Sequence, residues 1–235
     1  ELESAALQVN GEPLLYRELP WLVENLAARG VRVELNTSAI TLEHELARKL
    51  ADGALAQLNV SLDGATAATY ARIRGVDAFE RVLRNVAGFL ALRGPAPATP
   101  RVVAWMTLSR QNVGELEALV ELAITLGVDG LYLQRLVHFD YGLARAADSL
   151  HGQLSAAEAE SVSRAVSRGR SAGLDVSASG GHAADVMHAA LGDDPEPYRA
   201  CRRPSESAVI MANGDVVPCC ISTFVAPREA ITMGN

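Results

Sequence analysis

Short apolar segments alternate with helical segments along most of this 235-residue chain. We predict strands at residues 4–9, 31–36, 55–62, 101–108, 130–137 and 174–179. Helical patterns follow them at residues 15–30, 42–53, 113–126, 155–172 and 181–191, with one more that ends near Arg93. This alternation is typical of βαβ units, in which parallel strands build a sheet covered by helices. Right-handed crossovers then allow either an open doubly wound sheet or a barrel.

Polar residues follow several of these strands, and in both architectures ligands bind beyond the carboxyl ends of the strands. Glu12 could place a carboxylate beside a ligand that carries an ammonium group, and Arg74 could pair with a carboxylate. Asn, Ser and Asp are also ordinary helix caps, so each residue alone has a purely structural explanation. The candidates are Gly11, Glu12, Pro13, Asn36, Ser38, Ser61, Asp63 and Arg74.

The alternation stops after residues 195–197, and the segment that follows holds all three cysteines, Cys201, Cys219 and Cys220. The sequence NGD at 213–215 lies between two apolar runs and predicts a β-hairpin. No C-x-x-C pair of the zinc or redox type is present. A Cys201–Cys219 disulfide and thiolate ligation of an iron–sulfur cluster are the two interpretations that stay open.

The net charge of −7 argues against a nucleic acid or an anionic membrane as a partner. No apolar run approaches the roughly 20 residues that span a bilayer. Cysteines that are few and clustered do not form a secreted disulfide framework. We therefore expect a cytoplasmic protein with neither a nucleic-acid nor a membrane partner.

Taken together, these segments resemble the radical S-adenosylmethionine (radical SAM) superfamily, specifically its members with a SPASM or twitch auxiliary-cluster domain. "NGEP" at 10–13 is similar to the family's Gly-Gly-Glu-Pro motif, and "LNTSA" at 35–39 lies where the family has a Thr-Asn-Gly-like strand end. "VSLDG" at 60–64 and "TYARIRG" at 69–75 resemble the family's fourth strand and the helix after it. The Cys-x12-Gly-x4-Cys spacing from residue 201 resembles the start of the auxiliary domain, and "MGN" near the end resembles a Gly-Asn found downstream of it.

The resemblance implies an α/β fold, a partial (β/α)6 TIM-like barrel over residues 1–197. A small C-terminal β-hairpin iron–sulfur domain would begin at residue 198 and run to 235. Glu12, with the backbone of residues 11–13, would hold the methionine amino group. Arg74 would be the carboxylate partner.

The resemblance also implies contacts to the ribose or the carboxylate, from Ser61 and, as further candidates, Asn36, Ser38 and Asp63. Cys201 and Cys219 would ligate an auxiliary cluster, expected to be 4Fe–4S, with Cys220 a third ligand or a neighbour. Candidates that could face the substrate from their strand positions are Trp105, Thr107, Gln134 and His138.

The family's Cys-x-x-x-Cys-x-x-Cys loop, which binds the catalytic 4Fe–4S cluster, is missing from this sequence. The family's first strand is also missing, and the sequence opens without an initiator methionine. We expect a longer polypeptide that supplies these parts, because the chain as written could not cleave S-adenosylmethionine.

For the complete protein, the resemblance implies an oxidoreductase that reductively cleaves S-adenosylmethionine to a 5′-deoxyadenosyl radical. The radical would abstract hydrogen from a substrate, in peptide modification of the RiPP-maturase kind or in oxidation or epimerisation of a small molecule. An electron donor such as flavodoxin or ferredoxin would be a partner. The alternative is a non-catalytic α/β protein that binds a nucleoside or an amino acid, with a structural disulfide or zinc at the cysteines. A third hypothesis is a member without clusters, kept for peptide delivery.

Overall fold

A computed structural model describes residues 2–8, 11–94, 99–136, 145–150, 154–179, 203–220, 222–225 and 228–234. One parallel sheet holds β1 (Ser4–Leu7), β2 (Arg32–Thr37), β3 (Gln57–Ser61), β4 (Arg101–Leu108), β5 (Gly130–Arg135) and β6 (Asp175–Ala178). Its helices are α1 (Leu19–Ala27), α2 (His44–Asp52), α3 (Ala67–Arg74), α4 (Phe79–Arg93), α5 (Leu116–Leu126) and α6 (Ala156–Ser171). Each predicted strand is confirmed. The helix predicted at 181–191 lies outside the described residues.

The first helix is shorter than the pattern predicted. A single 3-10 turn spans Pro13–Leu15, and α1 begins only at Leu19. Pro20 lies in the first turn of α1, where its missing N–H costs nothing. A helix that began at Leu15 would bury Pro20 in its interior, so the prediction of a continuous helix from residue 15 was wrong.

The strand order decides between the two architectures that the sequence allowed. The strands lie in the order β1-β2-β3-β4-β5-β6, so each strand pairs with the next one in the chain. A doubly wound sheet would reverse direction and place helices on both faces. Successive right-handed crossovers in one direction instead keep the helices on one face and curve the sheet around the other. The predicted partial TIM-like barrel is confirmed.

The two faces of the sheet differ in polarity because neighbouring residues of a strand point to opposite faces. One face packs on the helices through buried apolar side chains. These include Val33, Leu35, Leu58, Val60, Val102, Ala104, Met106, Leu131, Leu133 and Val176. This face forms the hydrophobic core.

The opposite, inner face carries polar and aromatic side chains. Asn59 Nδ2 donates to Asn36 Oδ1 at 2.8 Å, which joins β3 to β2. Trp105 Nε1 donates to Gln134 Oε1 at 2.6 Å, and its ring lies 4.3 Å from that of Tyr132. A polar inner face of this kind suits contact with a ligand or with water rather than a dry core.

A buried ion pair closes the amino-terminal end of the sheet. Arg93 Nη1 at the end of α4 bonds Asp129 Oδ2 just before β5, and their side chains are 1% and 9% exposed. Asp129 Oδ2 also accepts a hydrogen bond from the Val102 nitrogen at 2.7 Å. The pair thus ties α4, β4 and β5 together at the end opposite the candidate site.

The C-terminal segment contains the predicted hairpin, with β7 (Val209–Ile210) antiparallel to β8 (Val216–Val217). Three one-turn helices flank it, α7 (Arg203–Glu206), α8 (Ser222–Val225) and α9 (Arg228–Ile231). Val216 also bridges to Gly234. Among the helices of the described residues, none is both long and apolar enough to span a bilayer.

Candidate functional site

The carboxylate of Glu12 is held at the carboxyl ends of β1 and β2. Its Oε1 accepts hydrogen bonds from Leu14 N at 3.2 Å and Thr37 Oγ1 at 2.6 Å. Its Oε2 accepts from Ser38 N at 2.9 Å and Ser38 Oγ at 2.5 Å. These four bonds match the acceptor capacity of a carboxylate and fix its position. The two hydroxyl donors can rotate away, which leaves room on both oxygens for an ammonium group.

Gly11 and Pro13 shape the turn that carries Glu12. Gly11 has a φ of +146°, a value that residues with a Cβ rarely adopt. Pro13 lies in the first turn of the 3-10 helix, where its fixed φ suits helix initiation. The turn therefore orients the carboxylate, and a backbone contact to a cofactor stays a prediction.

Thr37 lies within the strand end LNTSA that the sequence singled out, although it was not among the candidate residues. Its hydroxyl bonds Glu12 and accepts a hydrogen bond from Ala39 N at 2.9 Å. Ala39 has a positive φ of 57°, which is unusual for a residue other than glycine. Asn85 Nδ2 of α4 donates to the Ala39 carbonyl at 2.8 Å. The strand end is thus braced from two sides, which keeps Ser38 against Glu12.

Asn36 and Ser61 lie on the inner face of the sheet. Asn36 accepts its hydrogen bond from Asn59. Ser61 is level with Trp105 in the β3–β4 register. Their predicted contacts to a ribose or a carboxylate are untested by this placement.

Asp63 and Arg74 form an ion pair beyond the end of β3. Arg74 Nη1 lies 3.1 Å from Asp63 Oδ2, and Asp63 Oδ1 accepts a hydrogen bond from Thr107 N at 2.7 Å. Burial raises the pKa of Asp63 above its ordinary value, and the Thr107 N–H and the Arg74 guanidinium offset only part of this rise. The two residues that the sequence singled out after β3 are therefore brought together.

A cavity of about 390 Å³ opens beside this pair at the carboxyl ends of β3, β4 and β5. Its lining residues are Asp63, Ile73, Arg74, Thr107, Ser109, Gln111 and Leu136. Its volume falls within the range of about 300–1,000 Å³ that is usual for small-molecule sites. The position agrees with the expectation that ligands bind beyond the strand ends.

Asn112 organises this end of the sheet and was also missed. It is 1% exposed, and its Nδ2 donates to the Asp63 carbonyl at 3.0 Å and the Thr107 carbonyl at 2.9 Å. Its Oδ1 accepts from Ser109 N at 2.8 Å. One amide therefore clamps the end of β3 to the end of β4.

Glu115 plays a similar part for the loop between β3 and α3. It accepts hydrogen bonds from Ala65 N at 2.8 Å, Thr69 Oγ1 at 2.5 Å and Thr66 Oγ1 at 3.1 Å. Nothing in the local sequence distinguishes Glu115 from a surface carboxylate. Only the fold reveals its role.

The Tyr70 hydroxyl is buried and has no hydrogen-bond partner among the described residues. Tyr70 lies one helical turn before Arg74 on the same face of α3. Burial raises its pKa, the charges of Asp63 and Glu12 raise it further, and the nearby Arg74 guanidinium partly offsets this rise. An unpaired buried hydroxyl costs about 1–3 kcal/mol, so a polar ligand group would be favoured nearby.

These groups fit the amino-acid end of S-adenosylmethionine. Glu12 offers a carboxylate for the ammonium group, and Arg74 offers a guanidinium for the carboxylate. Tyr70 supplies an unpaired hydroxyl near both charges. The donor set is therefore complementary to a zwitterion.

Cys219 and Cys220 follow β8 and are half-buried, and neither forms a disulfide with another described residue. Cys201 lies outside the described residues, so its predicted relation to Cys219 is not tested. Within the described ranges no group of three or more His, Cys, Asp or Glu residues could hold a metal ion. Two thiolates suit an iron–sulfur cluster in chemistry but do not complete its ligand set. His138, a predicted substrate-facing residue, also lies outside the described residues.

Two family models match the chain. Residues 5–123 match the Radical SAM superfamily, and residues 201–235 match the SPASM iron-sulfur cluster-binding domain. A curated relative, a probable GTP 3',8-cyclase of Saccharolobus islandicus (strain Y.N.15.51 / Yellowstone #2), is 34% identical over 145 residues. That match covers 61% of this chain and 44% of the relative, so the chain spans about half the length of such relatives.

Solved structures share the fold. Streptococcus suis SuiB bound to S-adenosylmethionine superposes with a TM-score of 0.72 at 18% identity, over 95% of this chain and 51% of SuiB. SuiB bound to its precursor peptide SuiA gives a TM-score of 0.69 at 17% identity, over 95% of this chain and 50% of SuiB. At these identities the likeness concerns the fold.

Proposed function

The chain belongs to the radical SAM superfamily, as its motifs predicted, and we propose that the protein containing it is an enzyme that modifies a peptide by hydrogen abstraction. The matched families imply S-adenosylmethionine and 4Fe–4S clusters as cofactors. When bound, this pair supplies the 5′-deoxyadenosyl radical that abstracts the hydrogen atom. The residues of this chain bind and orient the cofactor and the substrate, and they enclose the site.

One observation carries the cofactor assignment. The Glu12 carboxylate is fixed by four hydrogen bonds, the Arg74 guanidinium lies at the wall of the cavity, and both charges act on the buried Tyr70 hydroxyl. Glu12 binds the ammonium group and Arg74 binds the carboxylate. Ser38, Ser61 and Asn36 are the proposed hydroxyl and amide contacts to the ribose or the carboxylate.

The inner face of the sheet supports a peptide as substrate. It offers amides and aromatic rings, including Gln134 and Trp105, which suit peptide carbonyls and apolar side chains. Arg72 of α3 bonds the Gln111 carbonyl at 2.8 Å, and the proposed role of Arg74 is to bind the methionine carboxylate. A nucleoside triphosphate needs several further cations for its phosphates, so we propose a peptide rather than the GTP of the cyclase relative's name.

The proposed roles of the cysteines follow the SPASM match. Cys201 and Cys219, with Cys220 as a third candidate, would hold an auxiliary cluster that accepts an electron from the substrate radical or helps to bind the substrate. A flavodoxin or a ferredoxin would serve as electron donor. The net charge of −7 supports partners other than nucleic acid.

The test uses the full-length protein, purified and reconstituted without oxygen and then reduced with dithionite. We expect bound iron and formation of 5′-deoxyadenosine from S-adenosylmethionine, and less 5′-deoxyadenosine from the Glu12→Gln variant at the same iron content. If the protein binds no iron and forms no 5′-deoxyadenosine, the result would support the alternative, a non-catalytic binding protein. Stimulation of turnover by GTP rather than by peptide would overturn the substrate class.

A further inference from the structure

Asp63 is engaged on both carboxylate oxygens. Oδ1 accepts a hydrogen bond from the Thr107 nitrogen, and Oδ2 pairs with Arg74. Asp63 is only 4% exposed, although it lies at the edge of the cavity. Because the side chain is so deeply buried, little of the carboxylate is accessible to a ligand.

The main chain that carries Asp63 is fixed as well. Its carbonyl accepts a hydrogen bond from Asn112, which also bonds the Thr107 carbonyl. Two connections therefore tie Asp63 to the end of β4, one through its side chain and one through Asn112. A carboxylate held in this way is a rigid point of attachment.

The ion pair with Asp63 restricts the conformation of the Arg74 side chain. Arg74 is the last residue of α3, and its side chain is 31% exposed at the wall of the cavity. Nη1 donates to Asp63 and the guanidinium also acts on the Tyr70 hydroxyl, which leaves further N–H groups for a ligand. A free arginine side chain of this length samples many rotamers.

We propose that Asp63 is a positioning residue, which holds the Arg74 guanidinium at the cavity so that it meets the carboxylate of the ligand in one orientation. Asp63 then acts through Arg74 and does not itself contact the ligand. This inference rests on the proposed function, because it takes the ligand to be S-adenosylmethionine. It assigns Asp63 a role different from the direct contact that the family resemblance implied.

The Asp63→Asn variant separates this role from simple electrostatics. Asparagine keeps the shape and can still accept the Thr107 hydrogen bond, but it loses the charge that holds Arg74. Removal of a negative charge near the site would by itself favour a carboxylate ligand. Weaker binding would therefore come from lost positioning, so the sign of the effect is informative.

The test is calorimetric titration of the full-length protein with two ligands. S-adenosylhomocysteine carries the amino-acid end, whereas methylthioadenosine lacks it. We expect Asp63→Asn to lower the affinity for S-adenosylhomocysteine about fivefold and to leave the affinity for methylthioadenosine unchanged. In an Arg74→Gln background, Asp63→Asn should cause no further loss, because the two residues act as one unit.

If the Asp63→Asn variant binds S-adenosylhomocysteine as tightly as the unsubstituted protein does, the inference is overturned. Equal weakening of both ligands, or additive losses in the double variant, would also overturn it, since either result means a general structural effect. Thermal unfolding of each variant shows whether it folds, and Asp63→Glu gives a second, charge-conserving variant if Asp63→Asn does not fold. If the unsubstituted protein binds neither ligand, the proposed function itself fails, which is a distinct result.

Discussion

Ser38 bonds the Glu12 carboxylate twice, through its nitrogen at 2.9 Å and its hydroxyl at 2.5 Å. The two residues belong to different βα units, so the contact fixes the end of β1 against the end of β2. Backbone and hydroxyl donors together fix the position of the carboxylate. That arrangement makes Glu12 the first residue to test.

We expect Glu12→Gln to weaken the binding of S-adenosylhomocysteine by more than about tenfold, because a neutral amide cannot pair with the ammonium group. Calorimetric titration of the full-length protein measures the affinity. Glu24→Gln, at an exposed position of α1, is the matched control and should bind normally. Unchanged affinity in Glu12→Gln would show that the ammonium group binds elsewhere.

We expect Arg93→Met to lower the free energy of unfolding by about 3–5 kcal/mol, because it leaves the Asp129 carboxylate buried without its partner. Urea denaturation measures this loss. Arg101→Met is the control, since its ion pair with Asp175 is exposed, at 43% and 62%, and should contribute less than about 1 kcal/mol. Similar losses in both variants would contradict the structural role of the buried pair.

Stability should depend on Glu158 at acidic pH. The Arg110 hydrogen bond, with those of the Ser155 nitrogen and hydroxyl, lowers the pKa of Glu158 from 4.5 to about 2. A lowered folded-state pKa stabilises the protein above the unfolded value, and this contribution is lost as the pH falls from about 4.5 to about 2. Because the side chain is partly exposed, we expect Glu158→Gln to cost only about 1 kcal/mol at pH 7.

Urea denaturation at pH 7, 5 and 3.5 checks this dependence. The difference between the native protein and Glu158→Gln should shrink at the lowest pH. Glu45→Gln removes an exposed carboxylate paired with Lys49 and should show a smaller change. A difference for Glu158→Gln that is constant over this range would argue against the pKa shift.

We expect the Cys201→Ala and Cys219→Ala variants each to contain less iron after reconstitution and to absorb less near ~400 nm, because each lacks a proposed cluster ligand. Cys220→Ala decides whether that residue is a ligand or a neighbour, since only a ligand should lower the iron content. Ser222→Ala, beside Cys219 in the fold, serves as control. If the iron content is unchanged and two cysteines react with an alkylating agent only after reduction, these cysteines form a disulfide instead.

The strands were predictable because buried parallel strands are short, continuous apolar runs between helices. Trp105 and Tyr132 lie in two such runs. Their side-by-side placement, however, follows from the register of β4 against β5, which no local pattern encodes. The same alternation also fits a doubly wound sheet, so the choice of a barrel needed either the family resemblance or the strand order.

The site was predictable where a motif places a charge at a strand end, as with Glu12 and Arg74. Thr37 and Asn112 were missed for a physical reason. Their partners lie far away in the sequence, Glu12 for Thr37 and Asp63 for Asn112, and their residue types are common in turns and caps. Tyr70 was read as part of a motif, but that its hydroxyl has no partner among the described residues appears only in three dimensions.

The order of the strands bears on how the chain acquires its structure. Each of β2 to β6 pairs with the strand made just before it, so its partner is already present when it is synthesised. Consecutive strands are separated by one helix, or by two between β3 and β4, so the entropy of each loop closure stays modest. The sheet can therefore grow strand by strand behind the ribosome. The pocket residues are completed in the same sequence, Glu12 first and the β5 wall last.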